Sequence, residues 1–287
     1  MDVGLIDVDS HNFPNLALMK ISAWCKKQGD DVEWWNGLKH YDVVFQAKVF
    51  DETYTPDIDF VINADTIIKG GTGYYKDTYL MDEIEHIYPD YSLYGIEDTA
   101  YGFLTRGCPR HCKFCIVGDK EGLISHKVAD LSEFWHGQPK IEIMDANILA
   151  CKDRVDLLNQ LIDSKAMVNF NQGLDVRFCD KEIVMLLNKI RMKMIHFAWD
   201  NYEMHTYEKL KEVRQWLKIN KAHALVYVLV NFNTNLSQDL ERIYKLRDLG
   251  YEPYVMIYDK PHAKKVIKQL QRWCNSKWIF HKAEYFE

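Results

Sequence analysis

Three cysteines lie close together in the middle of the chain: Cys108, Cys112 and Cys115. Their spacing, C-x-x-x-C-x-x-C, places three thiolates on one short loop. Thiolates are the usual ligands of iron–sulfur clusters, and a cubane cluster normally takes four of them. Three protein ligands leave one iron of the cluster open. The loop therefore predicts a [4Fe–4S] cluster whose open iron is chelated by the amino group and carboxylate of a small molecule.

The residues around this motif carry a family resemblance. From Thr105 to Cys115 the chain runs Thr-Arg-Gly-Cys-Pro-Arg-His-Cys-Lys-Phe-Cys, directly after a predicted strand. The loop resembles that of the radical SAM superfamily, which has this cysteine spacing and an aromatic residue before the last cysteine. Phe114 holds that place, so the resemblance implies that it lies near the adenine of S-adenosylmethionine.

The activity that the resemblance implies is reductive cleavage of S-adenosylmethionine. An external one-electron donor, such as flavodoxin or ferredoxin, would reduce the cluster, and the electron would pass to the sulfonium. The products would be methionine and a 5′-deoxyadenosyl radical that abstracts hydrogen from a substrate, which the sequence does not identify. The cofactors carry this chemistry, while the protein positions them and excludes water.

Zinc binding is the main alternative for the cysteine loop. A site of three cysteines with His111 or His126 is chemically allowed. Structural zinc sites usually have two ligand pairs separated by a loop, whereas the next cysteine here, Cys151, is single. A non-enzymatic zinc or iron–sulfur binding module is therefore the second hypothesis. The scattered cysteines are expected to be small buried hydrophobes; they are Cys25, Cys151, Cys179 and Cys274.

Polar residues that follow predicted strands have cofactor roles by the same resemblance. Asp145 and Asn147 lie where superfamily members often contact the amino group of S-adenosylmethionine, although either could instead cap a helix or a turn. Arg177 could bind the cofactor carboxylate through two hydrogen bonds, or pair with Asp175. Asp200 could contact the ribose hydroxyls or serve as a helix cap.

The second part of the chain has the pattern of six successive strand–helix units. Predicted strands cover 101–105, 140–144, 167–170, 194–198, 224–230 and 253–257, and predicted helices cover 154–163, 180–190, 207–220, 238–249 and 261–274. Helical crossovers of this kind join parallel strands. The pattern predicts an α/β fold with a partial (β/α)6 TIM-like barrel over residues 91–287. The cysteine loop would lie at the strand ends that carry active sites in such folds.

A smaller domain is predicted over residues 1–90. Strand patterns cover 3–8, 31–35, 41–47 and 60–68, and a helical pattern covers 15–27. Together they indicate a small Rossmann-like α/β sheet. The segment 74–98 has the composition of a linker with one short helix at 80–87.

This first domain resembles the cobalamin-binding domain that precedes some radical SAM barrels. Asp9 and His11 are similar to the Asp-x-His-x-x-Gly of those domains, in which the histidine can ligate cobalt, and the glycine-rich turn 70–73 is similar to their glycine turn. Pro14 stands where glycine is expected, and the domain is short. We therefore expect a reduced domain without cobalamin, and a cobalamin-dependent methyltransferase is the alternative.

Composition bounds the remaining classes of function. The 287 residues are 47% hydrophobic and 27% charged with a net charge of −6, which is typical of a globular domain and disfavours general binding to nucleic acid. No apolar run is long enough to span a membrane, and the acidic start does not resemble a secretory signal. We expect a cytoplasmic protein with no membrane partner.

Overall fold

The computed structural model of the protein describes residues 1–10, 13–283 and 285–286. The chain divides into two compact units. Unit 1 comprises Met1–Gly102 and Ser132–Gln138, and unit 2 comprises Phe103–Leu131 and Pro139–Glu287. The predicted domain boundary after residue 90 falls within unit 1 and stays a prediction.

Unit 1 is built around a four-stranded parallel sheet. Its elements in chain order are β1 (Asp2–Asp7), α1 (Leu16–Gln28), β2 (Asp31–Trp34), β3 (Tyr41–Ala47), β4 (Ala64–Gly70), α2 (Asp82–Glu85) and β5 (Thr99–Gly102). The sheet order is β2-β1-β3-β4, and each neighbouring pair is parallel. Helix α1 begins after Asn15, whose side chain accepts a hydrogen bond from the Leu18 amide. The first helix and the first three predicted strands are confirmed, and the strand predicted over 60–68 lies at Ala64–Gly70.

The segment after β4 is part of the core of unit 1, although its composition predicted a linker. Ile84 of α2 is 5% exposed and packs in the same cluster as Val3, Leu5 and Leu18. The buried Tyr91 hydroxyl donates to the Phe134 carbonyl at 2.7 Å. Polar and charged side chains are numerous in this segment, so its composition concealed the few positions that are buried.

Unit 2 alternates strands and helices along most of its length. Its elements are β6 (Thr105–Arg106), α3 (Val117–Glu121), β7 (His126–Lys127), β8 (Lys140–Ile143), α4 (Arg154–Ser164), β9 (Met167–Phe170), α5 (Lys181–Leu187), β10 (Ile195–Ala198), α6 (Met204–Trp216), β11 (Ala224–Val230), α7 (Leu236–Leu249), β12 (Glu252–Ile257), α8 (Lys265–Asn275) and α9 (Lys277–Lys282). The described residues of the whole chain thus contain nine α-helices.

The longer strands of unit 2 are parallel. β8 pairs with β9, and β11 lies between β10 and β12. A parallel bridge between Leu174, after β9, and Phe197 of β10 links the two groups. In β8, β9 and β10 buried apolar side chains alternate with more exposed positions, as in the Ile141 and Ile143 pair of β8. The predicted α/β class with parallel strands is confirmed.

The strand predicted over 101–105 is interrupted in the structure. Strand β5 ends at Gly102, and β6 begins at Thr105 and pairs with β7 in the antiparallel direction. The interruption has a tertiary cause, because the Leu104 and Thr105 amides donate to the Asp145 carboxylate. A backbone amide that donates to a side chain is withdrawn from the strand ladder.

Candidate metal and cofactor site

The three cysteines lie on the segment between β6 and α3. All three thiols are half-buried and none forms a disulfide. The Cys108 amide donates to the Gly122 carbonyl at 3.1 Å, and the Cys115 amide donates to the Cys112 carbonyl at 2.9 Å. The first bond closes the segment into a loop from Cys108 to Gly122, and the second forms a turn inside it that contains Cys112 and Cys115.

Asp145 fastens the start of this loop. It follows β8, is 4% exposed, and accepts hydrogen bonds from the Leu104 amide, the Thr105 amide and the Thr105 hydroxyl at 2.8, 2.8 and 2.6 Å. Burial raises the pKa of Asp145 to about 7, against the opposing effect of these hydrogen bonds. In the structure the Asp145 carboxylate holds the backbone at the start of the cysteine loop. Its predicted contact with the amino group of S-adenosylmethionine stays a prediction.

Glu121 fastens the same loop from α3. Its carboxylate accepts from the Arg106 guanidinium at 2.7 Å and from the Gly107 amide at 3.0 Å. Gly107 has a φ of +85°, and a Cβ there would lie 2.2 Å from the Ile124 carbonyl oxygen. Only glycine fits this turn, which leads directly into Cys108.

Asn147 connects the loop to the neighbouring strand ends. Its Nδ2 lies 3.5 Å from Cys108 Sγ and donates to Asp175 Oδ2 at 3.1 Å. The side chain is buried, and its Oδ1 has no hydrogen-bond partner among the residues that the structure describes. Hydrogen bonds to the ligand sulfurs tune the properties of an iron–sulfur cluster. If Cys108 ligates a cluster, Asn147 has this role without any contact with S-adenosylmethionine.

A cavity of about 470 Å³ opens beside the cysteine loop. Its lining comes from that loop and from the segments after β10 and β11; it comprises Arg110, His111, Cys112, Lys113, Phe114, Asn201, Phe232 and Asn233. Phe114 and Phe232 meet edge to face with ring centroids 5.4 Å apart. The Asn233 amide donates to Asn201 Oδ1 at 3.1 Å. Apolar ring faces next to a few fixed polar groups are typical of small-molecule sites.

Charge at this site is balanced between Arg110 and two buried carboxylates. Arg110 lies 4.0 Å from Asp175, whose pKa burial raises while Arg110 acts to lower it. Burial also raises the pKa of Asp200 to about 6, against Arg242 and Arg110. Burial raises the pKa values of the Cys112 and Cys115 thiols as well. Metal binding must therefore displace their protons.

Arg177 takes the second of its two proposed arrangements. Its Nε and a terminal nitrogen donate to the two oxygens of Asp175, both at 2.6 Å. A bidentate pair of this kind holds the guanidinium in one orientation. Binding of a cofactor carboxylate by Arg177 stays a prediction, and it would require a new partner beside Asp175.

The histidines of the zinc alternative have other contacts. His111 lies 3.8 Å from Asp119, and His126 Nδ1 lies 3.1 Å from the Ile124 carbonyl. Within the described residues, no three His, Cys, Asp or Glu side chains are grouped to hold one metal ion. Cubane ligands bind separate iron atoms, so this finding leaves the cluster prediction untested. The other four cysteines are buried and unpaired, as predicted.

Two site residues were not predicted. Arg110 lies between two of the cysteines and is a second cation beside Asp175, at 4.0 Å, and Glu121 accepts a hydrogen bond from the Gly107 amide. Neither follows a predicted strand, which was the signal used for the other polar residues. An arginine inside a cysteine loop is a signal that could have identified the first.

The comparisons with known proteins give no name for this site. No family model matches the chain, and no curated protein matches it. None of the helices in the described ranges has the length and apolarity that crossing a membrane requires. His11, the predicted cobalt ligand, lies outside the described residues.

Proposed function

We propose that this chain is a radical SAM enzyme in which Cys108, Cys112 and Cys115 hold a [4Fe–4S] cluster. One observation carries the proposal: a single closed loop supplies three free thiols and borders the cavity lined by Phe114 and Phe232. Three thiolates are one fewer than a cubane normally takes. The fourth position then belongs to the methionine end of S-adenosylmethionine, and the cavity receives the rest of the molecule.

The residues around the loop fit this assignment in their chemistry. When bound, the cluster and S-adenosylmethionine supply one-electron reduction and hydrogen abstraction. Asp145 and Glu121 hold the loop, and the Asn147 amide reaches Cys108 Sγ. Phe114 offers a ring face to the adenine. Asp200 follows β10 and precedes Asn201, which lines the cavity, and in this proposal its carboxylate accepts hydrogen bonds from the ribose hydroxyls.

A partial barrel would present this site at one edge. The proposal takes the strand–helix units of the second part of the chain as the six units of a (β/α)6 TIM-like arrangement. Its support is that β8–β9 and β10–β11–β12 are parallel and joined by helices. The loops after parallel strands emerge at the same edge, where such folds hold their reacting groups.

The experiment that tests the proposal is anoxic reconstitution with iron and sulfide. We expect broad absorption near ~400 nm from iron–thiolate charge transfer, and 5′-deoxyadenosine after addition of S-adenosylmethionine and dithionite. Cys112→Ala should lose both signals. Cys151→Ala is the matched control, because that thiol is buried outside the loop, and it should keep both.

Each other outcome identifies a different function. A colourless protein that retains zinc would replace the enzyme with a zinc-binding module. A cluster that forms in the wild type without any 5′-deoxyadenosine would reduce the assignment to an iron–sulfur module. Undiminished 5′-deoxyadenosine from Cys112→Ala would remove the three-thiolate assignment itself.

A further inference from the structure

Lys48 occupies a distinctive place in the sheet of unit 1. It directly follows β3, and the Val8 amide donates to the carbonyl of the preceding Ala47, so the chain leaving β1 runs beside it. The chain lays β2 on one side of β1 and β3 on the other, which makes the gap between β1 and β3 the switch point of the sheet. Ligands of open α/β sheets bind outside the carboxyl ends of the strands at such a point.

The side chain of Lys48 is fully buried, with 0% of its surface exposed. Its Nζ has no hydrogen-bond partner among the described residues. The nearest compensation is the ring of Tyr74, whose centroid lies 5.5 Å from Nζ. A ring face at that distance offsets only part of the cost of taking an ammonium out of water. The ammonium therefore lacks a hydrogen-bond acceptor among the described residues.

Two carboxylates in this part of unit 1 have partners other than Lys48. Asp9 accepts from the Val49 and Phe50 amides, both at 2.8 Å. Asp57 pairs with Lys69 at 2.9 Å and accepts from the Tyr74 hydroxyl. Burial acts to raise the pKa of Asp57, but these partners outweigh it and lower the pKa to about 2. Neither carboxylate forms a hydrogen bond or ion pair with Lys48 among the described residues, so an external acceptor is open to its Nζ.

The glycine turn after β4 brings bare backbone against Lys48. Gly71 has a φ of +94°, and a Cβ there would lie 2.4 Å from the Lys48 carbonyl oxygen. A Cβ on Gly73 would lie 2.7 Å from Lys48 Cγ. On the segment leaving β1, the buried Ser10 hydroxyl also has no partner among the described residues. Glycine turns let backbone approach a phosphate closely, and hydroxyls donate to its oxygens.

We propose that Lys48 is the cationic anchor of a phosphate-binding site at the β1–β3 switch point of unit 1. The ligand is a phosphate group, either as the free ion or as a phosphate monoester. Lys48 neutralises its charge, and the Ser10 and glycine-turn segments surround it. The inference is independent of the cysteine loop and of the proposed enzymatic function.

Binding of inorganic phosphate to the full chain tests the site. We expect the wild-type melting temperature to rise with phosphate at constant ionic strength held with chloride, because a ligand that binds only the folded state stabilises it. Titration calorimetry should give an affinity at least about tenfold weaker for Lys48→Met. AMP in a parallel titration distinguishes the sources, because a monoester site binds AMP more tightly than inorganic phosphate.

Lys69→Met is the matched control. Lys69 lies over the same Tyr74 ring, at 5.0 Å, but is already paired with Asp57. Its replacement should leave the phosphate affinity unchanged. Equal affinities in wild type and Lys48→Met would overturn the proposal. If Lys48→Met does not fold, the wild-type measurement is the test. A wild-type melting temperature that changes with neither phosphate nor AMP also overturns the proposal.

Discussion

Each unit contains a fully buried basic side chain, and the two differ in their hydrogen bonding. Arg242, on α7 of unit 2, donates to the Trp199, Asp200 and Leu229 carbonyls and to Asp239, at 2.6 to 3.0 Å. Lys48, in unit 1, has no hydrogen-bond partner in the described part of the chain. Both side chains are 0% exposed.

The difference separates a structural charge from one that awaits a ligand. A buried charge is tolerated when its hydrogen bonds and counter-charge are complete. Arg242 comes close to that condition: Asp239 is its counter-charge and its terminal nitrogens donate to three carbonyls, while its Nε has no partner among the described residues. It ties α7 to the carboxyl ends of β10 and β11, beside Asp200 of the candidate site. Lys48 does not meet that condition, which is why we assign it a ligand rather than a role in folding.

The largest effect is expected for Arg242→Met. The variant leaves the Asp239 carboxylate and three backbone carbonyls buried without their donor, so the free energy of unfolding should fall by about 3–5 kcal/mol. Urea denaturation measures it. The double variant Asp239→Leu/Arg242→Met removes both charges and should recover part of the loss. A single variant that costs under about 1 kcal/mol would contradict the structural role of Arg242.

The next largest effect is expected for two aspartates with matching roles. Asp145 in unit 2 and Asp9 in unit 1 each accept two backbone amides from a loop, all at 2.8 Å. Alanine at either position leaves those amides buried and unsatisfied, at a cost of about 2–4 kcal/mol. Urea denaturation should show similar losses, whereas bound iron after reconstitution should fall in Asp145→Ala and be retained in Asp9→Ala. Equal iron in both variants would deny Asp145 its role in holding the cysteine loop.

A smaller effect with the opposite sign is expected for Lys48→Met in phosphate-free buffer. Removing an unpaired buried ammonium leaves no partner stranded, so the free energy of unfolding should stay unchanged or rise by about 1 kcal/mol. The same denaturation series measures it beside Arg242→Met. A loss as large as that of Arg242→Met would show that Lys48 has a structural partner and would collapse the contrast between the units.

The smallest effect concerns His196 of β10, a half-buried basic group whose charged form desolvation disfavours. Its Nδ1 has no partner among the described residues, and its ring stacks on Tyr227. Burial lowers the pKa of His196 below its usual 6.5, although a hydrogen bond to the Phe170 backbone acts to raise it. Since the unfolded chain binds this proton first, the free energy of unfolding falls as pH drops below the unfolded pKa. Unfolding at about pH 7.5 and about pH 5.5 should show a smaller difference in His196→Phe than in wild type. If the difference between the two pH values is the same in His196→Phe as in wild type, another group causes the pH dependence.

Several features followed from the sequence alone. The strands Tyr41–Ala47, Met167–Phe170 and Ala224–Val230 have the predicted bounds, because each is a continuous apolar or alternating run. The cysteine spacing was sufficient to single out one loop, because those three thiols are local in sequence. The buried state of the four scattered cysteines also followed from residue type.

Other features were decided by tertiary contacts. Asp145 interrupts the predicted strand at 101–105 from about forty residues away along the chain. The segment 74–98 became part of a core through Ile84, although its composition resembles a linker. Arg177 pairs with Asp175, whereas the sequence left open whether its partner is Asp175 or a cofactor carboxylate.

The sequence by itself determined the α/β pattern and most element positions, because these depend on residue type and near-neighbour spacing, and on the same basis it predicted a class of chemistry. The tertiary structure alone decided which charges are paired. Arg242 and Lys48 are indistinguishable as single basic residues in the sequence, and only the approach of distant carbonyls to one of them sets them apart. Hydrogen bonding and desolvation depend on distances between atoms that no local pattern encodes.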